Sequence, residues 1–117
     1  MAARRSRKPR SSESTFETAR AIALRLPGAE ESTSYGTPAF RVRKKLFARL
    51  HQDGDALVVR ADFDARDALL RASPRSFFVT DHYRAYPYVL VRLAAVSRAD
   101  LTDVLTQAWR SAGGRSA

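Results

Sequence analysis

The sequence predicts an α+β protein: a two-layer sandwich of one largely antiparallel sheet and helices, in the order α-β-β-β-α-β-β-α. Three observations lead there. The chain has 117 residues, which suits one domain around one core. Three segments place apolar residues at spacings of three and four, so each forms a helix with a single stripe to bury. Between them lie short alternating or β-branched runs bounded by turn residues, the pattern of antiparallel strands.

The first helix begins at Phe16. Ser14 or Thr15 can accept hydrogen bonds from the first-turn amides, and Glu17 suits the positive end of the helix dipole. Phe16, Ala19, Ile22, Ala23 and Leu26 make its apolar stripe, and Pro27-Gly28 ends it. Residues 31–35 are a candidate short first strand, followed by a turn at Tyr35-Gly36-Thr37-Pro38. Phe40-Arg41-Val42-Arg43 alternates as a half-buried strand does. The chain then turns near Lys44-Lys45 and returns through Leu46-Phe47-Ala48-Arg49-Leu50. Two registers are open: a turn at Arg43-Lys44 pairs Phe40 with Phe47, and a turn at Lys44-Lys45 pairs Val42 with Phe47. Asp53-Gly54 marks the next turn, before the strand Ala56–Arg60.

A second helix starts at Asp62 or Asp64 and runs to Ala72, with Phe63, Ala68, Leu69 and Ala72 as expected core contacts. Ser73-Pro74 stops it. Phe77-Phe78-Val79 is a short strand, and residues 88–93 are the strongest strand of the chain, β-branched or aromatic almost throughout. Ser97 caps a third helix, whose Leu101, Val104, Leu105, Ala108 and Trp109 follow helical spacing. The predicted organisation is a disordered basic arm at 1–14, a single domain at 15–110, and a frayed tail at 111–117.

Composition excludes many functions. There is no cysteine, so disulfides, thiolate catalysis and thiolate metal sites are out. No run is long enough for a membrane-spanning helix, and no apolar segment follows the basic start, so cytoplasm is the expected location. The glycines form neither a phosphate-binding loop nor a dinucleotide fingerprint. His51-Gln52-Asp53-Gly54-Asp55 has metal-ligand residue types in a turn, without a second histidine at ligand spacing. Asp81-His82 lacks a nucleophile placed beside it. No catalytic set, metal site or cofactor is expected.

Charge is the strongest signal. Twenty-one Lys and Arg against 12 Asp and Glu give a net charge of +9, which favours nucleic acid or acidic partners. Arg4, Arg5, Arg7, Lys8 and Arg10 concentrate part of it in the arm. Arg41, Arg43, Lys44, Lys45 and Arg49 concentrate more in a hairpin free of acids. On a regular strand Arg41 and Arg43 share a face, and such a hairpin can lie along phosphates or simply be a solvated edge. Tyr83, Tyr86 and Tyr88, close to Arg84, are candidates for base stacking.

Leu26-Pro27-Gly28-Ala29-Glu30, then the run from Tyr35 to Val42, then Lys45-Leu46-Phe47-Ala48-Arg49-Leu50 resemble the MmcQ/YjbR family. Tyr86-Pro87-Tyr88-Val89-Leu90-Val91 and Leu105-Thr106-Gln107-Ala108-Trp109 extend the resemblance over about residues 15 to 110. It implies a sandwich similar to frataxin-like and secretion-chaperone-like folds, and DNA binding through a "double-wing" motif. It supplies no catalytic residues. This chain departs from the family in having Arg43-Lys44 where glycine often precedes the lysine matching Lys45, and Tyr88 where tryptophan is common.

The expectation is therefore a small non-enzymatic nucleic-acid-binding module, engaging mainly duplex DNA through phosphates with little base discrimination. The alternative is a protein- or ligand-binding sandwich that docks an acidic partner through the same basic face. In either case the expected state is a monomer or weak homodimer without membrane attachment.

Overall fold

Two-residue turns, Tyr35-Gly36 and Arg43-Lys44, fold the first half of the sheet. All four residues have positive φ (54°, 81°, 53° and 71°), as the hairpin turn that follows the right-handed strand twist requires. The computed structural model describes residues 14–115. Its elements are α1 (Phe16–Arg25), β1 (Ala29–Ser34), β2 (Thr37–Val42), β3 (Lys45–Leu50), β4 (Ala56–Arg60), α2 (Phe63–Ala72), β5 (Phe77–Phe78), β6 (Tyr88–Arg92) and α3 (Arg98–Ser111), with a 3₁₀ turn at Asp81–Tyr83. The candidate first strand is therefore formed, two residues earlier than its expected start. The sheet order is β1-β2-β3-β4-β6-β5, with every neighbouring pair antiparallel. The α+β sandwich is the architecture the patterning predicts.

Caps set the helix starts. Thr15 closes a reciprocal capping box with Thr18, Asp62 accepts from the Ala65 amide, and Ser97 accepts from the Asp100 amide. Ser14 has another task. It is buried, its amide donates to Leu93 O at 2.8 Å and its hydroxyl to Val96 O at 3.0 Å. It belongs to the folded body rather than to the arm, whose residues 1–13 lie outside the described part of the chain.

The core lies between one sheet face and the helices. Phe40, Phe47, Leu57, Val59, Phe77, Val89 and Val91 meet Ala19, Ile22, Leu101, Leu105 and Trp109 there. Burying each large side chain stabilises the fold by about 1.5–3 kcal/mol. Trp109 is 1% exposed, and its indole N–H donates to Pro27 O at 2.8 Å, tying α3 to the exit of α1. The segment after α3 is docked through Gly114 rather than frayed: Ala112 is buried, and the Gly114 amide donates to Trp109 O at 2.8 Å.

The second helix differs from expectation. Leu69 and Leu70 pack against the core, but Phe63, Ala68 and Ala72 are exposed. The buried residue of α2 is Arg66. Phe63 instead supports that arginine, whose guanidinium carbon lies 4.9 Å from the ring centroid.

Candidate nucleic-acid interface

The hairpin register decides where the basic side chains go. The turn is at Arg43-Lys44, with Val42 opposite Lys45 and Arg41 opposite Leu46. Phe40 then pairs with Ala48, because a β-bulge breaks the register between Phe40 and Arg41. Phe47 is the extra residue, and Phe47 and Ala48 both reach the core. A bulge shifts the inward–outward alternation by one position. Arg49, which regular alternation would aim at the helices, therefore emerges on the opposite sheet face with Arg41.

On that outer face the 3₁₀ turn and its flanks cover β4 and β6, where Tyr83, Phe78, Val79 and Tyr88 pack on Val58 and Leu90. Beside this cover, over β2 and β3, lies a cavity of about 810 Å³. Its lining includes Arg41, Arg49 and His82, together with Tyr35, Tyr83, Tyr86 and Tyr88. The chain has four tyrosines, and all of them line this one cavity.

Arg49 is 6% exposed, so it is no free phosphate hook at the hairpin surface, as the sequence suggested. Its Nη1 donates to Thr37 Oγ1 at 3.3 Å and Leu50 O at 3.2 Å, and its Nη2 donates to the Tyr83 hydroxyl. Arg41 is half-buried and donates through Nε to Ser32 Oγ at 3.2 Å. Arg43 leaves this face. Its side chain runs beside the end of α3, where a Cβ added at Gly113 would lie 3.1 Å from Arg43 Cδ. Arg41 and Arg43 thus do not share a face, because the left-handed turn begins at Arg43 and ends strand alternation. Lys44 and Lys45 are exposed at the tip.

Among the described residues, no carboxylate lies within 4.0 Å of Arg41, Arg43, Lys44, Lys45 or Arg49. Acids pair elsewhere. Glu31 and Glu17 bind Arg20 at 2.9 and 2.6 Å. The hydrogen bonds from Arg20 hold the Glu31 carboxyl below its usual range, against a smaller opposing effect of burial. Asp81 pairs with Arg84 at 3.1 Å instead of orienting His82, whose ring meets Tyr83 edge-on at 4.7 Å. His51 Nδ1 accepts the Asp53 amide at 3.2 Å, which is turn chemistry.

The tyrosines play different parts. Tyr83 is 9% exposed and braces Arg49, so its ring is a wall rather than the stacking platform expected of it. Tyr88 is half-buried against Tyr83. Tyr86 is 55% exposed and Tyr35 is 91% exposed. Tyr35 escaped the sequence reading, which saw only a turn. It occupies a left-handed position better suited to Asn or Gly, at a cost of about 1–2 kcal/mol. The Arg49 guanidinium carbon lies 5.6 Å from its ring centroid.

Arg66 was also missed. From α2 it reaches the segment bearing the other three tyrosines. Nη1 donates to the carbonyls of Tyr83, Tyr86 and Tyr88 at 3.2, 3.0 and 3.2 Å, and Nη2 donates to Arg84 O at 3.0 Å. A buried guanidinium thereby sets the shape of the cavity wall.

The YjbR family model matches residues 24–111. Uncharacterized proteins of Mycobacterium bovis and Mycobacterium tuberculosis are 42% identical to the chain over 57 residues, which are 48% of this chain and 44% of each relative. This chain thus spans less than half the length of those relatives. The crystal structure of a Deinococcus radiodurans protein with a DUF419 domain superposes with a TM-score of 0.69 at 23% identity. The superposition covers 82% of this chain and 76% of that one, and the likeness establishes a shared fold. The family match covers most of the described residues, and on that ground this chain is a member of the YjbR family.

Proposed function

We propose that the protein is a non-enzymatic nucleic-acid-binding module that uses the outer face of β2 and β3. The observation that carries this reading is a stripe of basic groups without carboxylate partners among the described residues. On that face Arg49 lies near the Tyr35 turn with Arg41 further along the hairpin, and Lys44 and Lys45 stand exposed at the tip beyond them. Six residues of strand make that stripe roughly 20 Å long, a length suited to several phosphates of one strand. Phosphate neutralisation supplies the affinity, and tyrosines beside it add contacts to bases. The five arginines and lysines at 4–10 lie outside the described residues. In this reading they add to the positive charge.

Anisotropy of labelled DNA across a salt series tests this. If Arg41, Lys44, Lys45 and Arg49 each meet a phosphate, log K falls against log salt with a slope of about −3.6 for duplex and about −2.8 for single strands. Affinity for duplex then drops about 150-fold between 50 and 200 mM salt. The variant Arg43→Asn, Lys44→Gly, Lys45→Ser keeps a turn sequence that favours positive φ and shortens the slope by about 1.5–2. A slope near zero, or no binding at low salt, refutes the reading.

A further inference from the structure

We propose that the outer-face cavity seats one unpaired nucleotide of a bound strand. Its base would stack on Tyr35 and Tyr86, and its phosphate would sit against Arg49 and Arg41. This rests on nucleic acid being the partner, and it adds a preference for single strands over duplex.

Three independent features converge on that ligand. The first is Arg49, a guanidinium that is 6% exposed with no carboxylate within 4.0 Å among the described residues. Burying a cation without a counter-charge is costly. Arg66, equally buried, is surrounded by four carbonyl oxygens, whereas Arg49 meets two hydroxyls and one carbonyl. Of its five N–H groups, Nε and one on Nη2 have no acceptor among the described residues, and Arg49 Nε, unlike the sealed and unpartnered Nε of Arg66, is open to solvent. An anion in the cavity supplies both the charge and the acceptors, and a phosphate matches the planar fork.

The second feature is Tyr35. A tyrosine at φ 54° with 91% of its surface exposed gains little beyond its contact with Arg49 and strains the turn. Strain of this kind collects where a side chain has a task. Tyr35 stands at the cavity rim with Arg49 near its ring, and most of its surface is open to a ligand.

The third is the gathering of the tyrosines on one face. All four tyrosines line the cavity, while Phe40, Phe47 and Phe77 are in the core on the other side of the sheet. Tyrosine combines a stacking face with a hydroxyl that tolerates water. A cavity of about 810 Å³ is in the range that takes a small ligand. Paired bases in a duplex keep their faces covered, so a stacking platform selects unpaired ones.

The test uses the full chain, labelled oligothymidylate and a labelled duplex of equal length at low salt. Tyr35→Asn removes the ring and relieves the turn, so its thermal midpoint should equal or exceed that of the parent. Its affinity for the single strand should fall about tenfold, as expected for loss of one base stack, with duplex affinity unchanged. Tyr86→Ser, at an exposed site, should lower single-strand affinity similarly, and Tyr35→Trp should restore it. Unchanged single-strand affinity in both Tyr35→Asn and Tyr86→Ser, or parental preference for duplex, overturns the inference. The basic-stripe reading survives those results if the hairpin variant still loses affinity. Failure of the parent protein to bind either DNA refutes both readings.

Discussion

Replacing Arg66 by Met withdraws a guanidinium from four backbone carbonyls while keeping most of the apolar stem. Three N–H groups serve the oxygens of Tyr83, Arg84, Tyr86 and Tyr88, because the two on Nη1 are shared among three acceptors. Hydrogen bonds from a charged donor contribute about 1.5–3 kcal/mol each, so their loss costs about 4.5 kcal/mol at the lower end. Relief of a buried guanidinium whose Nε has no partner offsets about 1–3 kcal/mol. The net loss is about 1.5–3.5 kcal/mol, which lowers the thermal midpoint by roughly 6–14 °C in a domain of this size. Circular dichroism melts and urea titrations measure it. The wall carrying Tyr83, Tyr86 and Tyr88 should loosen as well, so oligonucleotide affinity of the folded variant should fall. Arg66→Lys, with three donors at one point instead of a fork, should restore only part of the stability. A midpoint within about 3 °C of the parent for Arg66→Met would refute the view that this contact holds the wall.

Two further outcomes are expected. Gly114→Ala should lower the thermal midpoint by about 4–8 °C, a loss near 1 kcal/mol, since the added Cβ would overlap the Trp109 indole and expel the docked tail; an unchanged midpoint counts against that docking. Glu31 has its folded pKa lowered by Arg20, so its contribution is present above the ordinary carboxylate range and is lost as pH falls through the folded value. Parent and Glu31→Gln should therefore differ most near neutral pH and converge in acid, and melts at several pH values would show an equal gap throughout if the pairing were immaterial.

Much of the fold was legible because local chemistry and global architecture agree. Thr15, Asp62 and Ser97 are cap residues that cap, and the alternating run at Phe40-Arg41-Val42 is a strand whose apolar residues face the core. The site was less legible, for physical reasons. Arg43-Lys44 is an unusual pair for a left-handed turn, so sequence alone left two registers open. The bulge at Phe47 leaves no compositional trace, since Phe47 and Ala48 are apolar whichever way they point. Its effect falls on Arg49, which moves to the outer face and becomes buried there. Arginine usually signals surface, and neither Arg49 nor Arg66 carries any local mark of burial; both are set by long-range contacts to the 83–88 segment. Phe63 misled in the opposite sense, being apolar at the start of an amphipathic helix yet facing outward beside Arg66. Tyr35 had a signal that went unused: a bulky residue before Gly36 in a two-residue turn is costly, and that cost asks for a reason.

The placement of Trp109 gives the molecule two separate optical reporters. The chain has one tryptophan, sealed among helix and sheet residues and hydrogen-bonded to Pro27, while every tyrosine sits across the sheet around the cavity. Indole emission, excited at the red edge of the band, follows global unfolding and is insulated from whatever enters the outer face. Phenol absorbance and emission follow the cavity. A single unlabelled sample can thus distinguish occupancy from denaturation by colour alone.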